Sequence, residues 1–145
     1  MKIHQLSLFL ENEPGQVLGV CRTLRDAGID IRALTVADAQ EFGILRLIVS
    51  DWQAAAKILT DAGNIVNTTE VVAVEVPNRP GGLTDLLELL EGSGINIEYI
   101  YTHTFGQGDR AVLICRFDDA DRAIERLQSS SINVLAPVEI YAGGG

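Results

Sequence analysis

This 145-residue chain predicts an α+β protein made of two ferredoxin-like βαββαβ units, each with an antiparallel four-stranded sheet and the two paired within the chain. Three observations carry that prediction. Glu11-Asn12-Glu13-Pro14-Gly15-Gln16-Val17-Leu18 returns as Val76-Pro77-Asn78-Arg79-Pro80-Gly81-Gly82-Leu83. Ala27-Gly28-Ile29-Asp30-Ile31 returns as Ser93-Gly94-Ile95-Asn96-Ile97, and both repeats lie 66 residues apart. In each copy the apolar period also switches from two to about 3.6 at the Pro-Gly turn. A duplicated unit makes any pocket at that turn twice.

The elements follow in order. Leu6, Leu8 and Leu10 alternate with Ser7 and Phe9, and Val72, Val74 and Val76 with Ala73 and Glu75, which is strand periodicity. Each strand ends at Asn-x-Pro-Gly, with proline pre-set for the first helical turn. Val17, Leu18, Cys21 and Leu24, and Leu83, Leu86, Leu87 and Leu90, then recur at helical spacing. Gly28 and Gly94 stand where a left-handed helix end belongs. Ile29 and Ile95 lead into second strands, residues 42–50 and 111–117 are third strands, and Asp51 and Asp119 are placed to cap second helices. The step between those caps is 68, so the second copy has gained two residues, placed in Phe105-Gly106-Gln107-Gly108-Asp109. Residues 132–141 are expected to close the second unit as a strand, and Gly143-Gly144-Gly145 to fray. The first unit is expected over residues 1–70 and the second over 71–145. No proline or glycine interrupts the chain between Gly63 and Pro77, so the fourth strand is expected to run straight into the next unit's first, fixing the sheets or exchanging a strand.

The chain is 47% hydrophobic, enough for one sizeable core or two small ones. A net charge of −9, spread along the sequence, argues against nucleic acid, which needs clustered Lys and Arg. No apolar run approaches the roughly 18 residues that span a bilayer, and the start is no signal peptide. The expected setting is cytoplasmic. Cys21 and Cys115 read as buried free thiols.

At the Pro-Gly turns and the Gly-Ile-(Asp/Asn)-Ile steps the chain resembles a tandem pair of ACT domains over nearly its whole length. The resemblance implies a regulatory module that binds amino acids and controls amino-acid metabolic enzymes. It also implies that two such domains pair side by side, with ligand at the interface near the first strand–helix turn. No catalytic domain is attached, so the implied protein is a stand-alone binder.

The chemistry of the turn agrees with that implication. The first amides of a helix lack intrahelical partners and carry partial positive charge, which suits a carboxylate. The candidate ligand-binding residues are Asn12, Glu13, Pro14, Gly15, Gln16 and Val17 at the first turn, and Asn78, Arg79, Pro80, Gly81, Gly82 and Leu83 at the second. Gly15, Gly81 and Gly82 would let a ligand reach the backbone, and Asn12 and Asn78 would hydrogen-bond its α-groups. Asp30 and Asn96, expected near the same end of the sheet, would receive an ammonium. Asn-x-Pro-Gly is also ordinary turn-to-helix chemistry that needs no ligand. Arg79 and Gly82 replace Glu13 and Gln16, so the second turn reads as more open and less acidic, and is favoured.

No catalytic constellation, metal set or cofactor fingerprint emerges; His4 and His103 are the only histidines. His103 reads as an edge histidine near a loop, with a ligand contact as the alternative. Tyr99 and Tyr101 point to one face, as packing or as pocket lining. Two functions remain. One is an amino-acid-sensing regulator acting on a metabolic enzyme; the other is a structural or interaction subunit with no metabolite. Several of Leu34, Val36, Ile100, Val112 and Ile114 are expected on the sheet face away from the helices, too apolar for water, and so predict a homodimer or a sandwich between units.

Overall fold

Leucines on one face of the first strand, β1 (Ile3–Glu11), start the core: Leu6, Leu8 and Leu10 are buried while Phe9 between them is exposed. The computed structural model describes residues 1–39, 41–103 and 108–142, with residues 38 and 39 described by backbone only. After β1 come α1 (Gln16–Asp26), β2 (Ile31–Ala39), β3 (Phe42–Val49) and α2 (Trp52–Asp61). Then follow β4 (Val66–Pro77), α3 (Gly82–Leu90), β5 (Ile97–Thr102), β6 (Arg110–Phe117) and α4 (Ala120–Gln128). A two-residue β7 (Asn133–Val134) and a short α5 (Pro137–Tyr141) complete the described chain. Residues 105–107 of the expected hairpin tip at 105–109, and the glycines at 143–145, lie outside the described residues.

The chain divides into two units. The first holds His4–Thr69 with Tyr141 and Ala142; the second holds Met1–Ile3 and Glu70–Ile140. Strands of the first unit run in the order β2-β3-β1-β4, and those of the second in the order β7-β4-β6-β5. Numbered within each unit, both orders read 4-1-3-2, the ferredoxin-like arrangement. The pairs β1–β3, β2–β3, β4–β6, β4–β7 and β5–β6 are antiparallel. β4 contributes its first residues to one unit and its remainder to the other, in keeping with the unbroken sequence between Gly63 and Pro77.

Each unit has its own core. In the first, Leu6, Leu8, Leu45 and Leu47 meet Val20 and Leu24 of α1 and Ala55 and Leu59 of α2. In the second, Val72, Val74, Cys115 and Phe117 meet Leu86, Leu90, Ala123 and Leu127. The second helices begin as their sequence dictates: the Asp51 and Asp119 carboxylates accept the Ala54 and Arg122 N–H groups, each at 3.1 Å.

Three expectations need correction. Residues 132–141 do not form one strand. Leu135 N–H still donates to the Ala73 carbonyl at 2.9 Å, but Pro137 has no N–H to continue the ladder and takes the first helical position instead. Glu139 stabilises that start by accepting the Ala136 N–H at 2.6 Å. Pro14 and Pro80 do not open their helices either. Each precedes a glycine that forms the N-cap, Gly15 and Gly81. Of the five apolar residues from which several were expected on the helix-free face, only two lie there. Leu34 and Val36 stand opposite Leu47 and Leu45, and Ile100 opposite the core residue Cys115, so these three lie on the helix side. Val112 and Ile114 lie on the other face and are buried.

Candidate functional site

Both Pro-Gly turns close on the neighbouring hairpin. Asn12 N–H donates to the Glu41 carbonyl at 3.0 Å, and Asn78 N–H to that of Asp109 at 2.7 Å. Glu13 N–H turns back to the Glu11 carbonyl at 2.8 Å, and Arg79 N–H to that of Pro77 at 3.0 Å. Gly15 and Gly81 then adopt φ of +87° and +90°, the left-handed region that glycine enters without a Cβ clash. Both helices start on a glycine N-cap, which has no side chain to accept the first amides of α1 and α3.

Gly82 has a different role from the one the sequence suggests. It is buried, and a Cβ there would stand 2.1 Å from the Pro77 carbonyl oxygen. Its missing side chain admits the protein's own backbone rather than a ligand. Gln16, at the matched position of the first copy, carries a full side chain. Arg79 is also engaged: its guanidinium lies 3.0 Å from the Asp85 carboxylate in the first turn of α3 and donates to the Pro80 carbonyl at 3.0 Å.

The surroundings of the two turns differ. At the first, Glu11, Glu13 and Glu41 stand around Asn12 and Phe42 in a shallow depression of about 380 Å³. Three carboxylates make it a poor receiver for an anion. At the second, a deeper cleft of about 530 Å³ carries both signs, with Arg79 and Arg110 beside Glu75, Asp85 and Glu88. Arg110 and Glu75 are 3.9 Å apart. Such a mixture fits the opposite charges of a zwitterion.

Asp30 and Asn96 are not at this end. Glu11 stands opposite Phe42 beside the turn, whereas Ile31 stands opposite Val49 at the far end of β3. Asp30 is fixed there by Ser50, whose N–H donates to the Asp30 carbonyl at 2.9 Å and whose hydroxyl accepts the Asp30 N–H at 3.0 Å. Asn96 is matched by Asp118, through bonds of 3.0 and 2.9 Å. The 11-residue α1 separates Asp30 from Gly15 by about 16 Å of helix. A helix that returns antiparallel to its strand delivers the next strand to the opposite end, a consequence of βαβ topology that the repeat spacing alone does not display.

The structure adds a second duplicated feature that the sequence reading missed. A groove of about 480 Å³ beside α1 is lined by Cys21, Leu24, Ile29, Asp30 and Ile31. One of about 470 Å³ beside α3 is lined by Leu87, Leu90, Ile95, Asn96 and Ile97, the same positions 66 residues on. The signal was available in Leu18 and Leu87, which continue the apolar helix positions beyond the width a core can cover. They are 51% and 45% exposed.

Elsewhere, His103 is buried, and its N–H donates to the Val112 carbonyl at 2.8 Å. The Tyr99 and Tyr101 rings stack on one face, 6.4 Å apart. Burial pushes the Cys115 thiol up to about 12, which makes it an inert core residue, while Cys21 is half-buried. Among the described residues no cluster of His, Cys, Asp and Glu could hold a metal ion, and no helix is long and apolar enough to cross a membrane.

Two ferredoxin-like units, each with a glycine start to its first helix, define a tandem α+β domain architecture. The chain belongs to the ACT domain pair family, which matches residues 1–141. It is similar to a protein of Bacteroides thetaiotaomicron, BT0572, whose crystal structure superposes with a TM-score of 0.91 at 39% identity, over 97% of this chain and 96% of that one. The fold is also that of the aspartate kinase regulatory subunit from Thermus thermophilus in its ligand-free form, with a TM-score of 0.62 at 18% identity over 87% of this chain and 91% of that one. The corresponding Thermus flavus subunit gives 0.64 at 17% identity over 89% and 91%. No curated protein matches the chain.

Proposed function

We propose that this protein is a non-catalytic regulator that binds a small amino acid at the strand–helix turns of its ACT units, residues 1–70 and 71–145, and modulates amino-acid metabolism through a partner enzyme. The observation that carries the reading is the second turn, where α3 begins on a glycine N-cap and the turn residue Arg79 lines a cleft holding both guanidinium and carboxylate groups. The Gly82 N–H is spent on the Arg79 carbonyl at 3.0 Å, so the ligand carboxylate is received by the next amides of α3, those of Leu83 and Thr84, with Asn78 and Arg79 beside it. The first turn, with Asn12, Glu13, Pro14, Gly15, Gln16 and Val17, is the weaker site because its neighbours are acidic. The similarity in fold to aspartate kinase regulatory subunits supports a sensing role by analogy of fold.

Asp30 and Asn96 join such a site through a second copy. β2 and β5 end their strand orders, and a pair of edges meeting antiparallel inverts one unit against the other. That inversion sets the Asp30 or Asn96 end of one copy beside a turn of its partner, so the working form is a homodimer. Two free cysteines fit a reducing compartment such as the cytoplasm.

A thermal-shift screen against the twenty standard amino acids tests the reading. Saturable stabilisation by one or a few supports sensing. A flat response to all of them favours the other reading, an assembly subunit that uses the exposed apolar grooves and binds no metabolite.

A further inference from the structure

Outside the turns, a polar junction of the first unit lies where α5 ends. Arg32, on β2 and only 19% exposed at its side chain, sits between Asp30 and the last turn of that helix. Its Nη1 is 3.1 Å from the Asp30 carboxylate. Its Nε–H donates to the Tyr141 carbonyl at 3.1 Å and its Nη2–H to the Ala142 carbonyl at 3.0 Å. Tyr141 is fastened a second time, since its hydroxyl accepts the His4 N–H at 2.6 Å, and the His4 ring stacks on Trp52 at 4.2 Å.

The chemistry of this junction is directional. The final carbonyls of a helix carry partial negative charge and lack intrahelical donors, so a guanidinium that reaches them acts as a cap. The planar fork of arginine serves two carbonyls and a carboxylate at once, which a lysine point charge cannot copy. Asp30 is 66% exposed at its side chain, so its bond to Arg32 adds little to fold stability. What the bond does is select one orientation, with Oδ2 on Arg32 and Oδ1 left to accept from another group. The device is not duplicated. Sixty-six residues on, Glu98 replaces Arg32 and Asn96 replaces Asp30, and Glu98 stands 3.7 Å from Arg116 instead.

We propose that Arg32 is a positioning residue and that Tyr141–Ala142 is a strap whose seating on it holds Asp30 ready to receive a ligand ammonium, so that release of the strap weakens binding at that site alone. This rests on the amino-acid-binding reading above. The full chain is compared with Arg32→Gln, Arg32→Lys, a chain ending at Ile140, and Arg32→Gln combined with that truncation. Two measurements are made: hydrogen exchange over residues 29–33, and the concentration of an equimolar mixture of the twenty L-amino acids that gives half-maximal thermal stabilisation. Expected are faster exchange and a roughly tenfold higher half-effect concentration in both single changes, no further rise in the combination, and partial rescue by lysine. Unchanged exchange overturns the strap. Faster exchange with an unchanged half-effect concentration overturns its link to Asp30. A full chain that ignores the mixture, with exchange still accelerated by truncation, sinks the binding reading while leaving the strap in place.

Discussion

Gly82 and Gly15 look alike in the sequence repeat but fail for different reasons when substituted. Alanine at Gly82 puts a methyl 2.1 Å from the Pro77 carbonyl, so β4 and α3 must separate. Alanine at Gly15 meets nothing within 4 Å, and the strain comes only from its φ of +87°. Urea unfolding is expected to show losses of about 1–3 kcal/mol for Gly82→Ala and about 1–2 kcal/mol for Gly15→Ala. Only Gly15→Ala should recover when asparagine, which tolerates the left-handed region, is used in its place. Cys115 offers a residue-scale test through pH. Its thiol is raised from 9.0 to about 12 by desolvation, so between those values the unfolded chain gives up the proton and the folded one keeps it. The unfolded state therefore binds fewer protons, and stability present below pH 9.0 falls as the pH rises toward about 12. Cys115→Ala, or better Cys115→Val, should flatten the alkaline limb of a stability–pH curve. At pH 8 an alkylating reagent should label Cys21 in the folded protein and spare Cys115.

At the scale of elements, the second helices rest on one cap each. Asp51→Ala and Asp119→Ala should each lower stability by about 1 kcal/mol in chemical denaturation, and Asp→Asn or Asp→Ser at the same places by less. Those caps, the alternating strands and the turn-to-helix steps were legible because each is a local rule of period or end chemistry. The last strand was not: apolar residues 132–141 carry no period that distinguishes a strand from a short helix, and Pro137 decides between them by lacking a ladder donor. The face of Leu34 and Val36 was illegible for a related reason. A register shift between Ile31 and Ala33 moves every later residue of β2 to the other side, and nothing local in Ile31-Arg32-Ala33 announces it. The candidate site shows the same division. The turns at Asn12 and Asn78 are local and were found, while the placement of Asp30 depends on how a whole helix returns across the sheet.

At the scale of the molecule, the question is what covers the two edges. Leu18 of α1 and Leu34 and Val36 of β2 are 51%, 41% and 52% exposed on the helix side of an edge strand, next to a groove lined by Cys21, Ile29 and Ile31. Open strand edges and exposed leucines together invite pairing with a like edge, and only a twofold partner satisfies both at once. The unaltered protein is therefore expected to scatter light as a dimer at micromolar concentration. Val36→Lys combined with Leu18→Glu should shift it to a monomer with its circular dichroism preserved, because neither side chain belongs to the buried core. If Asp30 of one copy completes a site at a turn of the other, that monomer must also lose its thermal response to amino acids, although both turns remain intact. A monomer that keeps the full response would show that each turn binds alone, and the pairing of copies would then serve assembly rather than sensing.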